Sequence, residues 1–116
     1  MTNHNSENTQ QVEEQIVEKT IDPWQKLQNG FKGIRILRNP IRLKEIRDSA
    51  HQLKAEYNEQ ITTLDSQYKR LSDPLDKLSA QRSITELKKK ISTIDKNLAG
   101  IVSRVEELVK ESKSNS

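Results

Sequence analysis

Between Ile84 and Leu108, apolar residues fall at Ile84, Leu87, Ile91, Ile94, Leu98, Ile101, Val105 and Leu108. The steps alternate three and four without a break. That spacing predicts a heptad seam, with Ile84, Ile91, Leu98 and Val105 in one core position and Leu87, Ile94, Ile101 and Leu108 in the other. Val102 and Val109 flank the seam and widen it toward a bundle of three or more helices. Upstream, Leu43, Ile46, Ala50, Leu53, Tyr57, Ile61, Leu64, Tyr68 and Leu71 also keep helical spacing. Two successive steps of four, from Leu53 through Tyr57 to Ile61, locally relax a left-handed supercoil. No Gly or Pro interrupts Ile41 to Ser72, so one helix of about 48 Å is predicted at 1.5 Å per residue.

Cap-plus-proline signatures punctuate the chain at Asp22-Pro23, Asn39-Pro40 and Asp73-Pro74. Each puts a side-chain acceptor just before a residue that has no N–H to satisfy. The first opens a short helix carrying Trp24 and Leu27, which Asn29-Gly30 is expected to stop. The second and third open long helices over about 40–72 and 74–112, with Asp76 favouring the start of the latter. A proline inside a continuous helix costs about 3 kcal/mol, so a turn at Pro74 is preferred over one kinked rod. The two long helices then form an antiparallel hairpin, with Leu71 opposite Leu75 and Ile46 near Leu98 to Ile101. Ser83 with Glu86 resembles a capping box and predicts an irregularity near Ala80 to Ser83. The stretch FKGIRILR from Phe31 to Arg38 is ambiguous between extended and helical, and Pro40 disfavours helix just before it. Its apolar side is the natural cover for Val105, Leu108 and Val109, which outrun the first long helix. Beyond Leu108 the periodicity is lost, and fraying is expected, with residues 113–116 as a frayed tail.

Composition supports an elongated molecule. Apolar residues are 31% of the 116 and charged residues 32%, with one Trp, one Phe and two Tyr. That is too little to fill a round core. The expected fold class is all-α, a long antiparallel helical hairpin or coiled coil with a disordered N-terminal tail. In that tail Val12, Ile16 and Val17 sit among Glu13, Glu14 and Glu18, on a stretch too short for a stable helix alone. There is no Cys, which excludes disulfides and thiolate metal sites. No run nears the roughly 20 apolar residues that cross a bilayer, and the N-terminus has no secretory h-region, so a cytoplasmic location is expected.

Charge adds the first functional pointer. Residues 1–22 hold one cation and five anions, whereas residues 23–47 hold seven Lys or Arg against one Glu. Residues 23–39 therefore read as a basic amphipathic docking segment running into the first long helix. Trp24, Phe31, Lys32, Arg35, Arg38, Arg42 and Arg47 are its candidate contacts. Arginines in this density suit bidentate contact with carboxylate or phosphate. Groups that could carry catalysis are sparse. His4 lies in the tail, and His51 has no second ligand at the i, i+4 spacing of a metal pair. Gly30, Gly33 and Gly100 are isolated and build no phosphate loop; Gly100 reads as a tolerated surface glycine. No cofactor, metal or small-molecule substrate is expected.

Two resemblances are local. Ser72–Gln81, SDPLDKLSAQ, resembles the hairpin turn of type III secretion needle subunits, but it covers ten residues of 116 and leaves the acidic and basic N-terminal stretches without counterparts. Phe31–Leu37 followed by helices is similar to a ribbon-helix-helix DNA reader, yet the first long helix lacks the break that fold needs. The expectation is a non-enzymatic accessory or adaptor protein of a larger assembly. Its helices would associate with themselves or a protein partner, and the basic segment would dock. The alternatives are a small nucleic-acid-binding protein, marked by steep salt dependence, and a peripheral protein on an anionic membrane surface. In a purely structural reading, the segment's aliphatics pack on the open end of the hairpin and its arginines stay solvated or meet Glu13, Glu14 and Glu18.

Overall fold

The computed structural model describes residues 22–114, and there the architecture is all-α. Helix α1 (Pro23–Phe31) leads through a 3₁₀ turn (Ile34–Ile36) to helix α2 (Pro40–Arg70) and helix α3 (Pro74–Ser114). The acidic tail predicted for residues 1–22, with Val12, Ile16 and Val17, lies outside the described residues apart from Asp22.

All three helices begin at the predicted caps. The Asp22 carboxylate accepts from the Trp24 N–H at 3.2 Å, the Asn39 side chain from the Ile41 N–H at 3.0 Å, and the Asp73 carboxylate from the Leu75 N–H at 3.0 Å. Each satisfies a donor that the first helical turn leaves free, a contribution of about 1 kcal/mol. Residues 71–73 are non-helical and fold α3 back along α2.

Other boundaries depart from the sequence expectation. α1 does not stop at Asn29-Gly30 but continues to Phe31. Gly30 serves packing: a Cβ there would lie 3.3 Å from Ile46 Cγ1, so its absence lets α1 approach α2 closely. α3 passes through Ala80 to Ser83 without interruption. A capping box needs free N–H groups, and in mid-helix these already donate along the helix. Nor does α3 fray after Leu108. It runs to Ser114, with Leu108 packed against the core and Glu111 accepting from Arg38 Nη1 at 2.9 Å.

The same Arg38–Glu111 contact and Lys54–Asp95 at 2.7 Å link the two arms of the hairpin. Lys54–Asp95 joins α2 to α3 directly, whereas Arg38 stands two residues before α2 begins, so the register is counted from Lys54 and Asp95 at equal rise along both helices. It sets Lys44 level with Val105, and Ile46 level with Ser103, just beyond its predicted neighbours. Leu75, predicted opposite Leu71, is 74% exposed.

The core is concentrated in the half away from the turn. Leu27, Phe31 and Ile34 pack with Leu43, Ile46, Ala50, Leu53 and Tyr57 of α2 and with Ile94 and Ile101 of α3. Toward the turn, Ile61, Leu64, Ile84 and Leu87 are half-buried. Two helices enclose only a stripe; α1 and the 3₁₀ turn add a third layer, and burial is deepest where they lie. The cover expected from Phe31 to Leu37 forms in part, because Val105 and Val109 remain exposed.

On α3 the inward stripe also drifts. Arg104 is 8% exposed, whereas Val105, a predicted seam residue, is 42% exposed. A straight helix slips by about 20° per heptad against a strict repeat. After Ile101 a step of three therefore turns Arg104 toward the 3₁₀ turn. Its Nε donates to the Leu37 carbonyl at 2.8 Å and its Nη1 to Glu107 at 2.9 Å. No helix among the described residues is long and apolar enough to cross a membrane.

Candidate docking surface at the open end

The residues predicted to dock a partner divide into anchors and a free fringe. Trp24 is half-buried, its ring centroid 6.2 Å from that of Tyr57 and tilted by 60°. Lys90 Nζ sits 5.7 Å from the Trp24 centroid and 5.6 Å from the Tyr57 centroid. One cation thus joins α1, α2 and α3 through two ring faces. Burial pushes the Tyr57 hydroxyl above its ordinary pKa, and the negative charges of Asp22 and Glu56 add to the effect. Phe31 lies in the core. Both aromatics fasten the basic segment to the hairpin.

The cations face outward. Arg38 pairs with Glu111, Arg42 with Glu45 at 3.3 Å, and Arg47 with Asp48 at 3.1 Å, all at solvent-exposed positions. Pairs of this kind contribute about 1 kcal/mol or less, so another anion can compete for them. Lys32 and Arg35 are exposed and make no side-chain ion pair or hydrogen bond with any described residue. Ile36 and Ile41, aliphatics interleaved with these cations in the sequence but not among the predicted contacts, are 82% and 69% exposed. The signal was present in FKGIRILRNPI: its aliphatics exceed what one face of any regular element can bury. The open end thus exposes Lys32, Arg35, Arg38 and Arg42 within the same short stretch of chain as Ile36 and Ile41.

A second feature runs along the hairpin. α1 lies over the Ile46 and Leu53 side of α2. Lys44, about 200° around the helix from Ile46, borders a groove on the other side. Pro40, Leu43, Lys44 and Arg47 of α2 form one wall, and Ile101, Val102, Val105, Glu106, Leu108 and Val109 of α3 form the floor and the other wall. Of the predicted seam, Ile94 and Ile101 are buried, while Ile84, Leu87, Ile91, Leu98 and Leu108 are half-buried. Val105 opens into the groove. His51 is exposed on α2, and a Cβ at Gly100 would meet nothing within 4 Å.

What these surfaces present to solvent is cationic and aliphatic. Comparison with known proteins adds no analogue: no family model, no curated protein and no solved structure matches the chain.

Proposed function

We propose that this chain is a non-enzymatic helical adaptor of a larger, cytoplasmic protein assembly, with its open end as the docking end. The observation that carries this reading is the exposure of Ile36 and Ile41 among cations, two of which, Lys32 and Arg35, have no described ion partner. The matching surface is an acidic protein segment with an aliphatic stripe. Its carboxylates would take Arg35 and its neighbours, and its aliphatics would cover the two isoleucines.

Rival ligands use the surface less fully. Phosphate contact alone draws on the arginines and leaves both isoleucines in water. Lipid headgroups could take Ile36, Ile41 and the cations, but the aromatic anchors such a surface favours, Trp24 and Phe31, are committed to the hairpin.

Placing a photo-crosslinking residue at position 36 tests the proposal. A discrete protein should be captured in cells, and Lys32→Glu with Arg35→Glu should abolish capture while helicity by circular dichroism is unchanged. Duplex DNA binding that falls steeply with salt and weakens in Arg35→Ala, Arg38→Ala and Arg42→Ala, with no protein captured, would replace this reading with the nucleic-acid one. Binding to anionic vesicles that requires Ile36 and Ile41, with no protein captured, would replace it with the membrane one.

A further inference from the structure

The groove opposite α1 has apolar walls and no occupant among the described residues, and its rim charges indicate what fits it. We propose that it is a homodimer interface, in which two hairpins pack groove to groove with their open ends together. Lys44 stands on the α2 wall and Glu106 on the α3 wall, and neither makes a side-chain ion pair or hydrogen bond with any described residue. The register sets Lys44 level with Val105, one residue from Glu106. A two-fold axis parallel to the hairpin keeps every residue at its own level while laying α2 of each copy over α3 of the other. Lys44 then meets Glu106 of the second copy, and Glu106 meets its Lys44. An isologous interface requires this reciprocity, in which residue i contacts j and j contacts i.

The apolar part follows the same symmetry. Val102, Val105 and Val109 of both copies come together over Leu43 and Ile101, and every neighbouring helix pair in the resulting four-helix layer runs antiparallel. Two turns toward the hairpin's turn, on the stripes seven residues from Arg47 and Val102, Lys54 bridges to Asp95 and closes the groove. The contact is thus confined to the open half.

Sedimentation equilibrium on the full chain tests the proposal, and helicity by circular dichroism accompanies each variant. The wild-type chain should be a concentration-dependent dimer. Lys44→Glu should raise its dissociation constant about tenfold, since two ion pairs per dimer become repulsive. Adding Glu106→Lys should restore it to near the wild-type value, and Val105→Asp should leave a helical monomer. A wild-type chain that stays monomeric overturns the proposal. So does a dimer indifferent to both Lys44→Glu and Val105→Asp, or a double charge reversal no tighter than the single one. The outcome is separate from partner docking, because these substitutions leave Lys32, Arg35, Ile36 and Ile41 in place.

Discussion

Arg104 shows what a count of apolar positions does not register. Heptad spacing put Val105 in the seam, because only apolar side chains enter such a count. The inward place belongs to a cation whose partner, the Leu37 carbonyl, is 67 residues away in sequence. Arg104→Met keeps the aliphatic bulk and leaves that carbonyl without its donor. It should cost about 1–3 kcal/mol in urea unfolding, and an unchanged midpoint would show the bond to be idle. Tyr57 gives a second test at this scale. Its hydroxyl titrates higher in the folded chain than in the unfolded one, so the folded state holds the proton more tightly. The associated stability is fully present below the unfolded value, near 10, and is lost as pH rises through the folded value. The tyrosinate absorbance that Tyr57→Phe removes should appear only above the ordinary tyrosine range, with stability falling over the same alkaline range. A Tyr57 transition in the ordinary range with a flat stability curve would contradict this.

Element boundaries were legible wherever a local mechanism sets them. Asp22, Asn39 and Asp73 cap through bonds to residues two positions on, and no tertiary contact is needed to read them. Asn39→Ala should therefore cost about 1 kcal/mol. The signals that misled were also local ones, overridden by packing. Gly30 suggested a stop but supplies a close approach to Ile46, and the end of α3 suggested fraying but is held by Leu108 and Glu111. The helices are also unequal along their length. Ile101→Ala, in the buried half, should cost about 2–5 kcal/mol, and Ile84→Ala, in the half-buried stretch, clearly less. Amide exchange should be faster in the turn half of α2 and α3 than in the half covered by α1. Uniform protection along both helices would mean that the third layer adds nothing.

At the scale of the whole molecule, the hairpin is layered on one side. α1 and the 3₁₀ turn fill one flank near the open end, leaving the opposite groove and the open end's Ile36, Ile41 and cations in solvent. The all-α hairpin could be read from the sequence because periodicity and caps are local. The face that remained exposed could not, because it depends on where α1 comes to rest. A competing apolar spot exists at the turn, where Leu75 and Leu78 are exposed. The proposed docking end is tested most directly by comparing two variants of the full chain for recovery of the protein that crosslinks at position 36 in the wild type. Arg35→Glu with Ile36→Ser alters the open end, and Leu75→Ser with Leu78→Ser alters the turn. The first should lose that protein and the second should retain it at the wild-type level; loss in the turn variant with retention in the open-end variant would contradict docking at the open end.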